Sequence, residues 1–170
     1  MDTTTNDIYP AFEVSPVPVP GRDAEPPELF RGIYGMPQYV TAPTADLAAS
    51  TAFWIDGLGF FEIFGSPGQV THLRRWQFQD VLLVPGDQPA EPPAVGIGIA
   101  CVESQLDGIA TACEELLPGS TTGPRVMPWN SVELEVITPE NLRVVMTAAR
   151  PFDPESPEAQ NVRDLGIDVP

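Results

Sequence analysis

Lysine is missing from this chain altogether; all 8 basic residues are arginines, set against 24 acidic ones. The formal net charge of -16 at pH 7 repels phosphate backbones, which argues against nucleic acid and anionic membrane surfaces as partners. The same charge attracts cationic partners over distances that salt shortens, or simply keeps the protein in solution. A lone histidine, His72, excludes a multi-histidine metal cage and leaves no Ser-His-Asp arrangement to argue for. Of a phosphate-cradling loop there is only "GIGIA", which lacks the third glycine and the helix start. Two cysteines, Cys101 and Cys113, fall on a predicted strand and the helix after it. A disulfide is open to them, but two buried thiols suit the expected compartment better. No run of about 18 apolar residues is present, so no membrane-spanning helix is expected. The opening MDTTTNDIYP lacks the basic-then-apolar order of a signal peptide, and a cytoplasmic location is the expectation.

What is present is enough apolar matter for a core: 42% of 170 residues, the scale of one domain or two very small ones. Proline is concentrated at the two ends. Residues 1–30 form a proline-rich arm, whose prolines deny donors to helix or sheet. Its apolar residues Ile8, Tyr9, Phe12, Val14, Leu29 and Phe30 leave open whether it lies on the body or stays free. Residues 151–170 form an acidic, proline-rich tail.

The body, 31–150, reads as two similar modules, about 31–86 and 94–150. In the first, a strand over 33–43 leads to a helix over 46–58, capped at Thr44 or Asp46 and stopped by Gly57 and Gly59. Three strands follow, "FFEIFG", "VTHLRRWQFQ" and "DVLLVPG". In the second, the strand "VGIGIACV" leads to a helix over 104–117 capped at Ser104, then to "TGPRVMPW", "SVELEVITP" and "NLRVVMTAA". The order βαβββ therefore occurs twice, predicting an α+β fold of two modules whose curled mixed sheets surround a cleft.

Five aromatics, Phe53, Trp54, Phe60, Phe61 and Phe64, stand close together in the first module, as helix core or as a ligand wall; Phe53 and Leu58 fit core. Trp76 and Phe78 alternate along "LRRWQFQ", placing two rings on one strand face. Glu133 and Glu135 alternate likewise, facing solvent, or a cleft in which they hold a cation or act as acid and base. His72 is a lone general base or an exposed surface residue. Arg74 and Arg75 bind an acidic group or pair with nearby carboxylates.

The stretches "YVTAPTADLAASTAFWIDGLGF", "RRWQFQDVLLV" and "VMPWNSVELEVITPENLRVVM", with the doubled βαβββ order, resemble the vicinal-oxygen-chelate superfamily of glyoxalase I, bleomycin-resistance proteins, fosfomycin-resistance enzymes and extradiol dioxygenases. The third stretch resembles the bleomycin-resistance branch, whose Pro-Trp precedes a strand; the turn after it, Thr138-Pro139-Glu140-Asn141, is one residue short and lacks glycine. The resemblance covers about 120 residues, leaving out arm and tail. Metal-using members place His or Glu on the first and last strand of each module. Those positions fall here on Tyr39, on Leu82 or Leu83, on or near Ile97, and on Val144 or Val145, none a good ligand for a metal.

The resemblance therefore implies a metal-free, cofactor-free homodimer that binds a small aromatic or cationic natural product in an apolar cleft, as in antibiotic sequestration for self-resistance. The expected ligand contacts are Tyr39, Trp76, Phe78, Trp129, Glu133 and Glu135, with no catalytic and no metal-binding residue. A metal-independent isomerase or cyclase of secondary metabolism is the alternative, and a metal-dependent lyase or dioxygenase a third.

Overall fold

The computed structural model describes residues 19–32, 38–76 and 79–166. In the first module β1 (Tyr39–Thr44) leads into α1 (Leu47–Ala52), and β2 (Phe61–Ser66), β3 (Val70–Arg74) and β4 (Asp80–Pro85) follow. The second repeats the order with β5 (Gly96–Cys101), α2 (Leu106–Leu116), β6 (Thr121–Val126), β7 (Ser131–Ile137) and β8 (Arg143–Ala149). Each module forms one mixed four-stranded sheet, ordered β1-β4-β3-β2 and β5-β8-β7-β6. Its first and last strands pair in parallel at one edge. This is the α+β double βαβββ order that the sequence predicts.

Helix α1 starts where Asp46 accepts hydrogen bonds from Ala48 and Ala49 at 3.1 and 3.0 Å, satisfying two of the amides that a helix start leaves without partners. The helix continues as a π-helical turn over Phe53–Gly57, with the Leu58 amide bonded five residues back to Phe53. The wider turn lets Phe53, Trp54 and Leu58 all bury completely. Gly59, at φ 74°, then takes the left-handed conformation that glycine adopts without steric cost. Of the five clustered aromatics, Phe53, Trp54 and Phe60 belong to the core. Phe61 lies under the Arg31 guanidinium, and Phe64 is exposed with its ring edge-on to His72.

One core joins the modules. Ala42, Leu73, Val81 and Leu83 from the first sheet and Ile99, Leu134, Val144 and Met146 from the second pack around the two helical segments. Trp54 Nε1 donates to Glu140 Oε1 at 2.6 Å, linking the first module to the β7–β8 turn. Buried Arg75 does the same elsewhere, donating to the carbonyls of Leu58 and Ala100 and to Gln105 Oε1. Cys101 and Cys113 are free and buried in this core. Burial pushes their thiols up to about 11 and about 12, with Arg75 pulling weakly the other way at Cys101, so both stay protonated and unreactive near neutral pH.

Some expected elements shift. β1 begins at Tyr39, and 33–37 lie outside the described residues. β3 ends at Arg74, so Trp76 follows the strand instead of standing on it. Ser104 is not the cap of the second helical segment, which opens with a 3₁₀ turn after Val102; its hydroxyl donates to the Ala24 carbonyl, drawing the arm onto the body. The tail, to which the sequence reading assigns no element, contains α3 (Pro157–Asp164), capped by Ser156 with Pro157 in its first turn. Ala159 and Val162 are buried, and Asn161 donates to the Pro128 carbonyl. No helix among the described residues is long and apolar enough to cross a membrane.

Candidate functional site

Strand alternation gives each sheet a helix-packed face and an open face. The two open faces differ in what they carry. On the first, antiparallel register sets Asp80 beside Arg74 and His72 beside Leu82. Asp80 accepts Arg74 Nε at 2.6 Å, Arg74 Nη2 at 2.7 Å and His72 Nε2 at 2.9 Å. Burial alone would raise the Asp80 carboxyl, but the hydrogen bonds and charges of Arg74 and His72 outweigh it and hold the group below its usual range. His72 is thus not the exposed surface residue that is one sequence expectation: its side chain is 15% exposed and lies on Asp80. The arm closes over this cluster. Arg74 Nη1 donates to the Gly32 carbonyl at 2.7 Å, and its guanidinium lies 5.7 Å from the Phe30 ring.

The second open face is hollow. A cleft of about 250 Å³ is lined by Arg125, Met127, Trp129, Glu133, Glu135, Arg143 and Val145. A tight turn carries Trp129 between β6 and β7: the Asn130 amide bonds back to Met127, and Asn130 takes φ 64°. The indole is 56% exposed but not loose, since Nε1 donates to Glu133 Oε1 at 2.8 Å. The same oxygen accepts the Ser131 hydroxyl at 3.0 Å. Glu135 Oε2 accepts Arg143 Nη2 at 2.6 Å and Nε at 2.8 Å, a diagonal pair across β7 and β8. Arg125 faces Glu133 across the β6–β7 ladder.

Three of the six sequence-predicted contacts, Trp129, Glu133 and Glu135, therefore share one cleft. Tyr39 is on the first sheet, 52% exposed. Trp76 lies beyond β3 with the Arg75 guanidinium 4.7 Å from its ring. Phe78 lies outside the described residues. Arg125, Met127 and Arg143 were not among the sequence candidates. Arg125 enters the cleft because a bulge between Thr122 and Arg125 resets its strand against Glu133, which strand alternation alone does not reveal. Arg75 also departs from expectation: it pairs with carbonyls, not with a carboxylate.

The residues at the parallel strand edges do not suit a metal. Leu82 and Val145 alternate onto the open faces and Leu83 and Val144 into the core. Ile97, expected at the open position of β5, packs against the core instead, leaving Gly96 and Gly98 on the open side. Among the described residues no three His, Cys, Asp or Glu side chains group as metal ligands. A larger apolar hollow of about 550 Å³ between α1 and the β2–β3 turn is lined by Leu47, Ala48, Thr51, Ala52, Pro67, Gly68 and Thr71. It has no charged group and no aromatic ring to orient a molecule.

Two mixed four-stranded sheets in doubled βαβββ order make the vicinal-oxygen-chelate fold, and this chain has it. The fosfomycin resistance protein FosX from Mesorhizobium loti is similar at 18% identity, covering 69% of this chain and 94% of that one with a TM-score of 0.55. FosX from Listeria monocytogenes, in its monoclinic form, is similar at 16% identity over 69% and 93%, also at 0.55. A glyoxalase-related enzyme from Fulvimarina pelagi follows at 14% identity over 67% and 88%, TM-score 0.55. No protein-family model and no curated protein sequence matches the chain.

Proposed function

We propose that this protein binds a small aromatic natural product, without a metal, in the cleft of its second sheet, and that it acts by sequestration, as a cytoplasmic resistance protein. The observation that carries this reading is the pinned Trp129 ring: a half-exposed indole, fixed by Glu133, over a cleft whose aliphatic and charged walls come from three strands. A ring stacked there contributes about 0.5–1.5 kcal/mol beyond the area it buries. Two of the similar structures bear the name of fosfomycin resistance proteins, in keeping with a role against a small toxic molecule. One similar FosX structure was solved with Mn(II); the donors present here do not suit such an ion, and the reading uses none.

The cleft is smaller than the roughly 300–1,000 Å³ of sites for drug-sized ligands. The two open faces also lie on the far sides of a shared core, so Tyr39 and the Trp129 cleft would share one ligand only across two subunits. This favours a homodimer, side by side or domain-swapped, with two clefts. Sedimentation at micromolar concentration is expected to give a dimer, and a monomer there counts against it.

A second reading, a metal-independent isomerase or cyclase, is favoured by one observation: His72, with Asp80 fixed beneath it by Arg74, has the geometry of an oriented general base. Mass spectrometry of small molecules extracted from the purified protein separates the two. Sequestration returns the bound molecule unchanged, and an enzyme releases it altered. Trp129→Ala is expected to weaken binding of that molecule by roughly tenfold or more without unfolding the protein. Unchanged affinity would reduce the indole to a surface residue.

A further inference from the structure

We propose that the ligand is an aromatic monocarboxylate, its ring on Trp129 and its carboxylate on Arg125. This rests on the cleft being the binding site. The chain as a whole is strongly acidic, but the cleft is not: two arginines and two glutamates line it. Three of these four already have partners. Glu135 is held by two donors of Arg143. Glu133 is committed through Oε1 to the Trp129 indole and the Ser131 hydroxyl. Arg125 stands opposite Glu133 in the ladder, yet its guanidinium makes no ion pair, hydrogen bond or ring contact with any described residue. Of the other seven arginines, Arg31, Arg74, Arg75, Arg143, Arg150 and Arg163 each have such a partner; Arg22, in the arm and outside the cleft, does not. The cleft therefore offers one charged side chain with no hydrogen-bonding partner among the described residues, the Arg125 guanidinium, while Glu133 is held by neutral donors alone.

The guanidinium is a planar fork of donors matched to a carboxylate. A single negative charge neutralises it. A dianion would leave surplus charge facing Glu133 and Glu135, and a cationic ligand would meet the Arg125 charge, with Glu135 already paired to Arg143 and one Glu133 oxygen already held by Trp129 and Ser131. Trp129 and Met127 supply the apolar wall for a ring held between the two ends.

Titration calorimetry with 1-naphthoate and with 1-naphthylmethylammonium, equal in ring and opposite in charge, tests this on the full chain, its folding followed by circular dichroism. Naphthoate is expected to bind about tenfold more tightly than the ammonium. Arg125→Gln is expected to lower naphthoate affinity by about the same factor and to leave ammonium binding no weaker, or stronger, since the opposing charge is gone; for naphthoate, Arg125→Lys is expected to fall between. If the ammonium binds as tightly or more tightly, with binding lost in Trp129→Ala, the cleft stands and the carboxylate assignment is wrong. If naphthoate binds but Arg125→Gln does not weaken it, the assignment to Arg125 is wrong. If neither probe binds at millimolar concentration, the cleft reading and this inference both fail.

Discussion

Asp80→Asn is expected to destabilise the protein by about 3–5 kcal/mol at pH 7, the usual effect of removing one partner from a buried ion pair. The change is nearly isosteric, so lost packing is not the cause. Arg74 is 2% exposed, and two of its nitrogens meet the two Asp80 oxygens at 2.6 and 2.7 Å. With the carboxylate gone, a guanidinium remains buried against neutral groups. Total stabilities of domains this size run to about 5–15 kcal/mol, so the loss takes a large share and moves the urea midpoint accordingly. The pH dependence has a definite sign. The Asp80 pKa is depressed in the fold, because Arg74 and His72 outweigh the effect of burial. Its contribution is therefore fully present above the ordinary aspartate value of about 4, and is lost as pH falls through the lower folded value. The wild-type protein is expected to lose stability on that acid limb, and the Asn variant to lose correspondingly less. Equal stability of the two at pH 7 would mean that the pair contributes nothing net.

Arg75→Met is expected to cost about 2–4 kcal/mol, through a different mechanism. Arg75 is 1% exposed and has no carboxylate; burial lowers its pKa, with a weak opposing pull from Cys101. Its three donor groups satisfy Leu58 and Ala100 carbonyls and the Gln105 amide oxygen, which belong to different modules. Methionine keeps the apolar stem but leaves those acceptors without a donor, at about 1–3 kcal/mol for each that stays buried. Relief of the buried charge offsets part of that sum. Gln105→Ala removes only one acceptor and is expected to cost about 1 kcal/mol. Urea unfolding of both variants checks the ranking. Arg75→Met as stable as the wild type would show that the Arg75 hydrogen bonds contribute nothing net to holding the modules together.

Both modules are legible in the sequence because independent signals coincide there. Asp46 and the apolar spacing after it mark a helix start, and period-two alternation marks β7 and β8. That alternation also places Glu133 and Glu135 on one face, and Pro-Trp marks the turn that presents Trp129. Register was not legible. A bulge decides that Arg125 faces Glu133, and a diagonal across two strands joins Arg143 to Glu135; neither follows from one strand's own pattern. The same single-residue phase moved Ile97 from the open face into the core. His72, Arg74 and Asp80 meet only because β3 and β4 pair antiparallel, so from sequence they were separate residues of uncertain role. The helix in the tail did have a signal, Ser156-Pro157-Glu158, with a cap, a first-turn proline and an early acidic residue. The surrounding prolines and charges outweighed it.

The central claim is that the second sheet's cleft is where a small molecule binds. Backbone and indole amide NMR shifts of labelled protein, followed during addition of 1-naphthoate, test it most directly. The expected result is a set of saturating shifts at the Trp129 indole and at the amides of Arg125, Glu133, Glu135 and Val145, with the hollow beside α1 silent. Shifts centred instead on Leu47, Thr51 and Thr71, or on the His72–Asp80 cluster of the first sheet, would contradict it.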